Sequence, residues 1–188
     1  MTDERIVELI KGGDKEKFGE IVDRYEKKMF YYIKRMINQA DEEVEDLVQE
    51  VLLSAYVNLA GFDTKKKFSS WIYRIAHNKS VDYFKKRKNL VSGDIGEKEE
   101  FFRSKDSLPE ELEIEKENRE EIRAAIDKLE LKYREVVWLY YFEDKSYDEI
   151  SDILKIPSSN VGVLLFRAKE KLKKYYYIDS RLRGNDKK

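Results

Sequence analysis

Apolar residues recur at helical spacing through almost the whole chain. The stripe formed by Val44, Leu47, Val48, Val51 and Leu52 is one example, and similar stripes precede and follow it. Strict alternation of apolar and polar residues, which is typical of half-buried β-strands, does not occur in the sequence. The periodicity therefore predicts an all-α fold.

A polar segment interrupts the helical pattern near the middle of the chain. Residues 89–116 are rich in acidic residues, Gly and Ser, hold few apolar residues, and include Pro109. Such a composition is typical of a flexible tether. We therefore predict two small helical domains, residues 16–88 and 117–175, joined by a flexible acidic linker at 89–116. Residues 176–188 have no periodic face and are predicted to be a frayed tail.

Composition excludes several classes of functional site. The 188 residues include no Cys and a single His, which rules out disulfides, a cysteine nucleophile, thiolate zinc sites and multi-His metal sites. We therefore expect no metal and no cofactor. No apolar run approaches the ~20 residues of a membrane helix, and Met1–Arg5 begins no signal peptide. These features predict a cytoplasmic protein with no direct membrane insertion.

The net charge of −1 hides four blocks of alternating sign. Residues 41–50 carry six acids and no base, and residues 61–90 carry nine Lys or Arg against two acids. Residues 91–121 carry twelve acids against five bases, and residues 161–174 carry five bases against one acid. Taken singly, such runs are compatible with solvated helix faces. Their coincidence with aromatic residues and with a helix-turn-helix pattern favours a nucleic-acid interface.

The C-terminal pattern predicts a helix-turn-helix. Ser146 and Glu149 have the spacing of a capping box, and a short helix, Tyr147–Leu154, would follow. Pro157 must interrupt that helix, and Ser158 or Ser159 would cap a longer one that runs to about Tyr175. In this layout the start of the second helix meets base edges and its basic residues meet phosphates. A plain helical hairpin with a basic end fits the same spacing.

Basic and aromatic residues are interleaved in residues 61–88. Lys and Arg neutralise phosphates, and aromatic rings stack on unpaired bases, so this composition suits single-stranded or melting DNA. Core packing of Phe68, Trp71 and Ile72 is the alternative explanation. The preceding helix, from Asp41, has an acidic, Gln-bearing face that could dock on a basic partner or could simply be solvated.

Together these features resemble bacterial RNA polymerase sigma factors of the sigma-70 family, in the extracytoplasmic-function group. The resemblance covers roughly residues 16–88 and 117–175, and its two blocks stand in the family's order with a linker between them. The matching residues and stretches are Phe18, Ile21, Val22, Tyr25, Glu45–Leu53, Phe68, Trp71–Asn78, Val81–Tyr83, Lys85, Leu129, Tyr133–Val136, Tyr147–Ile150, Ile156-Pro157 and Arg167–Lys169.

The resemblance implies a sigma factor that directs core RNA polymerase to promoters and has no catalytic activity of its own. Residues 16–88 would be the sigma domain that binds core RNA polymerase and opens DNA at the −10 element. Residues 117–175 would be the sigma domain that reads the −35 element with the helix-turn-helix Tyr147 to Phe166. An anti-sigma factor is a candidate further partner.

The same resemblance assigns contacts residue by residue. The polymerase-binding residues would be Asp46, Leu47, Gln49, Glu50 and Leu53. The residues for −10 binding and melting would be Lys65, Lys66, Lys67, Phe68, Trp71, Arg74, His77, Asn78, Lys85, Lys86 and Arg87. The residues for −35 binding would be Ser158, Ser159, Asn160, Val163, Arg167 and Lys171.

One departure and two alternatives stay open. Many family members carry basic residues early in the recognition helix, where this chain has Gly162 and Leu164. Without them, readout would rest on backbone contacts, Asn160, the serines and DNA shape. A stand-alone helix-turn-helix regulator is the first alternative. A small nuclease holding Mg²⁺ with Asp46 and Glu50 is the second, although no convergent third ligand is evident.

Overall fold

The computed structural model describes residues 1–91 and 124–184. All regular structure in these two ranges is helical, as the periodicity predicts, and neither contains a β-strand. The chain divides into an N-terminal and a C-terminal compact unit. The predicted linker, residues 89–116, lies almost entirely outside the described residues.

The N-terminal unit is a four-helix assembly with 3₁₀ turns at Lys15–Lys17 and Leu59–Gly61. The apolar stripes of its helices pack together and form the core. Each fully buried large aliphatic side chain stabilises the unit by about 1.5–3 kcal/mol. The fully buried residues include Ile6, Val7, Ile21, Met29, Tyr32, Ile33, Val44, Val51, Phe68 and Ile72. The helices are α1 (Asp3–Lys11), α2 (Phe18–Ile37), α3 (Asp41–Asn58) and α4 (Phe68–Val91).

Helix α1 belongs to this unit, which therefore begins before residue 16. The Thr2 hydroxyl caps α1 by accepting from the Arg5 amide (3.3 Å), and Asp3 accepts a hydrogen bond from the Tyr25 hydroxyl on α2 (2.5 Å). Burial and the Asp3 carboxylate raise the pKa of Tyr25 far above its usual range. Ile6 and Val7 of α1 are completely buried. These two apolar residues form a short stripe that was not predicted from the sequence.

The C-terminal unit contains α5 (Leu131–Tyr141), α6 (Tyr147–Leu154) and α7 (Ser158–Gly184), after a helical stretch at 124–127. The predicted capping box at the start of α6 is confirmed. The Ser146 amide donates to Glu149 Oε2 (3.0 Å), and the Glu149 amide donates to Ser146 Oγ (3.3 Å). The predicted bounds of α6 also agree with the structure.

The turn and the end of the recognition helix differ from the prediction. Neither Ser158 nor Ser159 is the cap, because the carbonyl of Pro157 accepts from the amides of Asn160 and Val161. The Ser158 hydroxyl donates to Asp148 instead (3.0 Å). Helix α7 runs beyond Tyr175 to Gly184, since no Gly or Pro interrupts it after Gly162.

Candidate nucleic-acid interface

The exposed face of α3 joins acidic and apolar residues. Asp46, Gln49 and Glu50 are exposed, and Leu53, one turn further on, is 64% exposed. Positions 46, 49, 50 and 53 lie on one side of a helix. The face continues over Val57, an exposed apolar residue that sequence reasoning missed although it stands four positions after Leu53.

Leu47, predicted to bind polymerase, is only 7% exposed because it packs in the core with the rest of the α3 stripe. It reaches the surface as part of the lining of a groove of about 250 Å³ between α3 and α4, together with Glu50, Lys79 and Tyr83. Leu47 is therefore corrected to a core residue, and the exposed face of α3 consists of its neighbours.

Ionic contacts join the acidic face of α3 to the basic second half of α4. Lys79 pairs with Glu50 (2.9 Å), and Arg87 pairs with Glu43 (3.6 Å). The Tyr83 hydroxyl donates a hydrogen bond to Glu43. Burial is the main cause that raises the pKa of Tyr83, and this hydrogen bond raises it further. Arg87, predicted to bind DNA, is thus engaged inside its own unit. The charge blocks at 41–50 and 61–90 partly neutralise each other.

The loop between α3 and α4 presents three lysines to solvent. Lys65, Lys66 and Lys67 are all exposed. Asp63 organises the loop, because its side chain accepts from the Lys65 amide (3.0 Å) and its carbonyl accepts from the Lys66 amide (2.9 Å). This arrangement gathers three cations at one place on the surface, as phosphate binding requires.

Three aromatic rings pack together beneath this loop. The Phe62 ring lies 5.6 Å from Phe68 and 5.1 Å from Trp71, and Phe68 lies 5.5 Å from Trp71 between ring centroids. Phe68 is 0% exposed, so its predicted contact with DNA is corrected to a core role. Trp71 is half-buried and retains an exposed part. The alternative of core packing therefore holds for Phe68 and in part for Trp71.

The remaining predicted DNA residues of α4 differ in exposure. Asn78, Lys85 and Lys86 are exposed, and Lys85 lies 3.7 Å from Asp82 one turn earlier. Arg74 and His77 are half-buried. The exposed members therefore lie toward the end of α4, away from the lysine loop at its start.

In the C-terminal unit, α7 buries one face and exposes another. Val161, Leu165 and Ala168 lie in the core. Exposed positions that share the other side of the helix include Ser159, Asn160, Val163, Phe166, Arg167 and Glu170. Ser159, Asn160, Val163 and Arg167 are thus accessible as the sequence predicts, while Ser158 is half-buried beside Asp148.

Phe166 is the functional candidate that sequence reasoning missed. Its ring is 66% exposed on the same face as Val163. A large exposed aromatic residue is unusual at a helix surface. The sequence could have indicated its exposure, because Phe166 stands three positions after Val163 and shares its helix face. Residues 158–166, SSNVGVLLF, carry no charged side chain. The first two turns of α7 therefore present an apolar and uncharged surface.

Gly162 lies under a side chain from α6. A Cβ atom on Gly162 would lie in van der Waals contact with Cε2 of the Tyr147 ring (3.4 Å), at the position where many family members carry a basic residue. Leu164 is half-buried. Tyr147 is therefore a neighbour of the position at which this chain departs from the family pattern.

Lys171 holds α7 to the start of α5. Its Nζ donates to Glu130 (2.9 Å) and lies 5.2 Å from the centroid of the Tyr133 ring. The hydrogen bond from Lys171, with a second from Lys132, lowers the pKa of Glu130. Lys171 thus has partners within its own unit and its phosphate contact stays a prediction, whereas Lys173 and Lys174 are exposed.

The described ranges hold no candidate metal centre and no membrane-spanning helix. Within them, no three His, Asp or Glu side chains stand where they could share a metal ion. Among the helices of residues 1–91 and 124–184, none has both the length and the apolar character needed to cross a bilayer.

Two family models match the chain, one in each unit. Sigma-70 region 2 matches residues 21–90, and sigma-70 region 4 matches residues 119–172. The ECF RNA polymerase sigma factor SigW of Bacillus subtilis (strain 168) is 35% identical over 175 residues, which is 89% of this chain and 93% of that protein. The chain belongs to the extracytoplasmic-function group of the sigma-70 family.

Other relatives agree with this assignment. The ECF RNA polymerase sigma-E factor of Escherichia coli (strain K12) is 32% identical over 177 residues, 90% of this chain and 92% of the relative. The fold also resembles that of RpoE from Bartonella quintana, solved in complex with the anti-sigma factor NepR. That likeness has a TM-score of 0.69 at 17% identity and covers 87% of this chain and 99% of the other.

The family assignment makes this protein a sigma factor, which directs core RNA polymerase to promoters. A stand-alone helix-turn-helix regulator is not the better explanation, because it would account for the region 4 match alone. The exposed face of α3, the α3–α4 loop and α7 are then candidate surfaces for the contacts of a sigma factor.

Proposed function

We propose that the N-terminal unit of this sigma factor binds core RNA polymerase with the exposed face of α3 and opens the −10 element with the α3–α4 loop and α4. The C-terminal unit reads the −35 element with α7. The observation that carries the proposal is the separation, in the N-terminal unit, of an acidic and apolar face from a loop of three exposed lysines. These surfaces suit two partners of opposite charge.

The domain limits form part of the proposal. Sigma domain 2 comprises residues 16–88 together with α1, and sigma domain 4 comprises residues 117–175. Residues 89–116 are the linker between them. We further propose that the protein acts in the cytoplasm, has no catalytic activity of its own, and is held inactive by an anti-sigma factor. The complex of Bartonella quintana RpoE with the anti-sigma factor NepR supports the last point by analogy.

The polymerase-binding face consists of Asp46, Gln49, Glu50 and Leu53, with Val57 as an apolar extension. Opposite charges steer the encounter, and a desolvated apolar contact such as Leu53 supplies affinity. A basic partner surface with an apolar centre fits this combination.

Binding to core polymerase tests the proposal directly. Core RNA polymerase should retain the full-length protein in a pull-down, and the complex should start run-off transcription at discrete sites on fragmented genomic DNA. Asp46→Ala combined with Gln49→Ala should weaken polymerase binding roughly tenfold, the scale of losing two interface contacts of about 0.7 kcal/mol each.

Asp23→Ala combined with Glu26→Ala is the matched control, because it removes two exposed acidic residues from α2. This control should bind polymerase like the unchanged protein. Equal weakening by both double variants would contradict a specific α3 face. Duplex binding without polymerase binding would contradict the whole proposal.

Helix α7, which we propose reads the −35 element, offers apolar side chains for contact with bases. Val163 and Phe166 are exposed side by side on α7, and the uncharged stretch 158–166 offers no bidentate partner for guanine. Among the base edges of the major groove, the 5-methyl group of thymine is the one that apolar side chains contact. Arg167, Lys173 and Lys174 follow on the same helix and suit the flanking phosphates.

Replacing thymine by uracil in the −35 element is expected to weaken promoter binding about fourfold for each contacted methyl group, since burying one is worth about 0.8 kcal/mol. The measurement compares thymine and uracil versions of a promoter found by run-off transcription. Val163→Ser with Phe166→Ser should abolish the difference, whereas Lys173→Ala should weaken both versions equally. Equal binding of the two promoters by the unchanged protein would contradict methyl readout.

A further inference from the structure

Helix α1 contacts both ends of the lysine loop. Lys11 Nζ donates to the carbonyl oxygen of Phe62 (2.7 Å), and a carboxylate oxygen of Glu4 accepts from the backbone amide of Phe68 (3.0 Å). Phe62 is the last residue before the loop, and Phe68 is the first residue of α4. Two polar side chains of one short helix therefore hold the two ends of the segment 63–67.

These contacts use one side of α1. Glu4 and Lys11 are seven residues apart, which is about two turns and roughly 10 Å along a helix. Val7, between them on that side, is completely buried. The apolar contacts of α1 stabilise the unit as a whole, whereas Glu4 and Lys11 bond only to the backbone at the loop ends among the contacts described.

Each contact is suited to fixing a chain direction. The amides of the first turn of a helix have no partner within the helix, and a carboxylate there accepts a charge-assisted hydrogen bond that the helix dipole favours. The ammonium group of Lys11 bonds the last carbonyl before the loop, where the 3₁₀ turn has ended. The two side chains of α1 thereby fix the direction in which the chain leaves Phe62 and the direction in which it enters α4.

The position of the lysines depends on these two ends. Residues 63–67 number only five, and the rings of Phe62 and Phe68 are packed against each other. Within so short a loop, the turn at Asp63 transmits the anchoring of the ends to Lys65, Lys66 and Lys67. Contacts held within about half an ångström bind better than contacts on a free loop, because less order is lost on binding.

We propose that α1 is a brace that holds the lysine loop in its DNA-binding position, with Glu4 and Lys11 as positioning residues. The inference rests on the proposed role of the loop in −10 opening. Glu4 and Lys11 themselves need not touch DNA. Their effect is exerted through the backbone at Phe68 and Phe62.

The test uses full-length protein bound to core polymerase and a fluorescein-labelled single strand that carries the non-template −10 segment of a promoter found by run-off transcription. Glu4→Leu and Lys11→Met should each weaken strand binding roughly fivefold, which is about 1 kcal/mol at 1.4 kcal/mol per tenfold. Glu4→Gln and Lys11→Arg, which keep an acceptor and a donor, should bind nearly as the unchanged protein. Polymerase affinity should not change.

The deciding measurement repeats both substitutions in a protein whose Lys65, Lys66 and Lys67 are already Ala. If α1 acts by positioning the three lysines, it has no side chain left to position in this protein. Glu4→Leu and Lys11→Met should then cause no further loss of strand binding. Glu8→Leu is the matched control, because Glu8 forms an exposed ion pair with Arg5 (2.7 Å) on the same helix.

A loss of strand binding that persists in the lysine-free background would overturn the inference and indicate general destabilisation. Unchanged or tighter strand binding by Glu4→Leu and Lys11→Met would overturn it as well. If the triple Ala protein itself binds the strand normally, the proposed role of the loop fails, and that result is distinct from a failure of the brace alone.

Discussion

Phe68→Ala is expected to destabilise the N-terminal unit by about 3–5 kcal/mol, the usual cost of deleting a fully buried phenyl ring. The ring is 0% exposed and packs against Phe62, Trp71 and, at 5.5 Å, Tyr25. Removing it leaves a cavity at the point where α4 meets α2 and the loop. Since a small domain is stable by only about 5–15 kcal/mol, the loss should remove a large part of the stability of the unit and lower its urea midpoint.

Urea unfolding followed by tryptophan fluorescence measures this effect in the intact chain. The protein has two tryptophans, Trp71 in the N-terminal unit and Trp138 in the C-terminal unit. A Trp138→Phe background therefore makes the signal specific to the unit that Phe68→Ala changes. Far-UV circular dichroism gives an independent measure of lost helix.

Phe166→Ala is the matched control, because it makes the same chemical change at a ring that is 66% exposed. Followed by Trp138 fluorescence in a Trp71→Phe background, its effect on the free energy of unfolding should stay within about 0.5 kcal/mol. If Phe68→Ala proved as mild as Phe166→Ala while strand binding collapsed, the assignment of Phe68 to the core would be wrong, and direct stacking on DNA would be restored.

Replacing Lys65, Lys66 and Lys67 by Ala is the second large effect. We expect the holoenzyme to bind the non-template −10 strand more weakly and with a smaller dependence on salt. Each phosphate contact on a single strand contributes about 0.7 to the slope of log K against log[salt], so losing three should reduce the slope by about 2. The affinity difference should be largest at low salt and should shrink as salt rises.

The measurement is fluorescence anisotropy across a salt series, with core polymerase held in excess. Lys15→Ala with Lys27→Ala and Lys28→Ala is the control, because it removes three exposed lysines that lie outside the loop. The control should leave the slope unchanged. An equal fall in slope for both triple variants would point to overall charge rather than to the loop.

The sequence predicts the fold well where the signals are local. The bounds of α6 follow from Ser146, Glu149 and Pro157, all within a dozen residues of one another, and the capping box is present as predicted. The all-α class follows from periodicity alone. Both results depend on interactions between near neighbours, which a single sequence records directly.

Contacts between residues far apart in the sequence were not predicted. Lys171 and Arg87 look like phosphate-binding residues by composition, but their partners are Glu130 and Glu43, 41 and 44 positions away. The contact between Glu4 and the Phe68 amide spans 64 positions. No local pattern distinguishes a basic residue whose partner lies in its own fold from one that is left for DNA.

The acids of α3 act as an internal counterion for α4. Lys79 and Arg87 already have carboxylates from α3 beside them, so neither displaces a full complement of solvent ions when DNA approaches. Of the nine basic residues in 61–90, these two therefore have their charge already offset by α3. We therefore expect the unit by itself to bind arbitrary duplex less tightly than its number of basic residues alone would suggest.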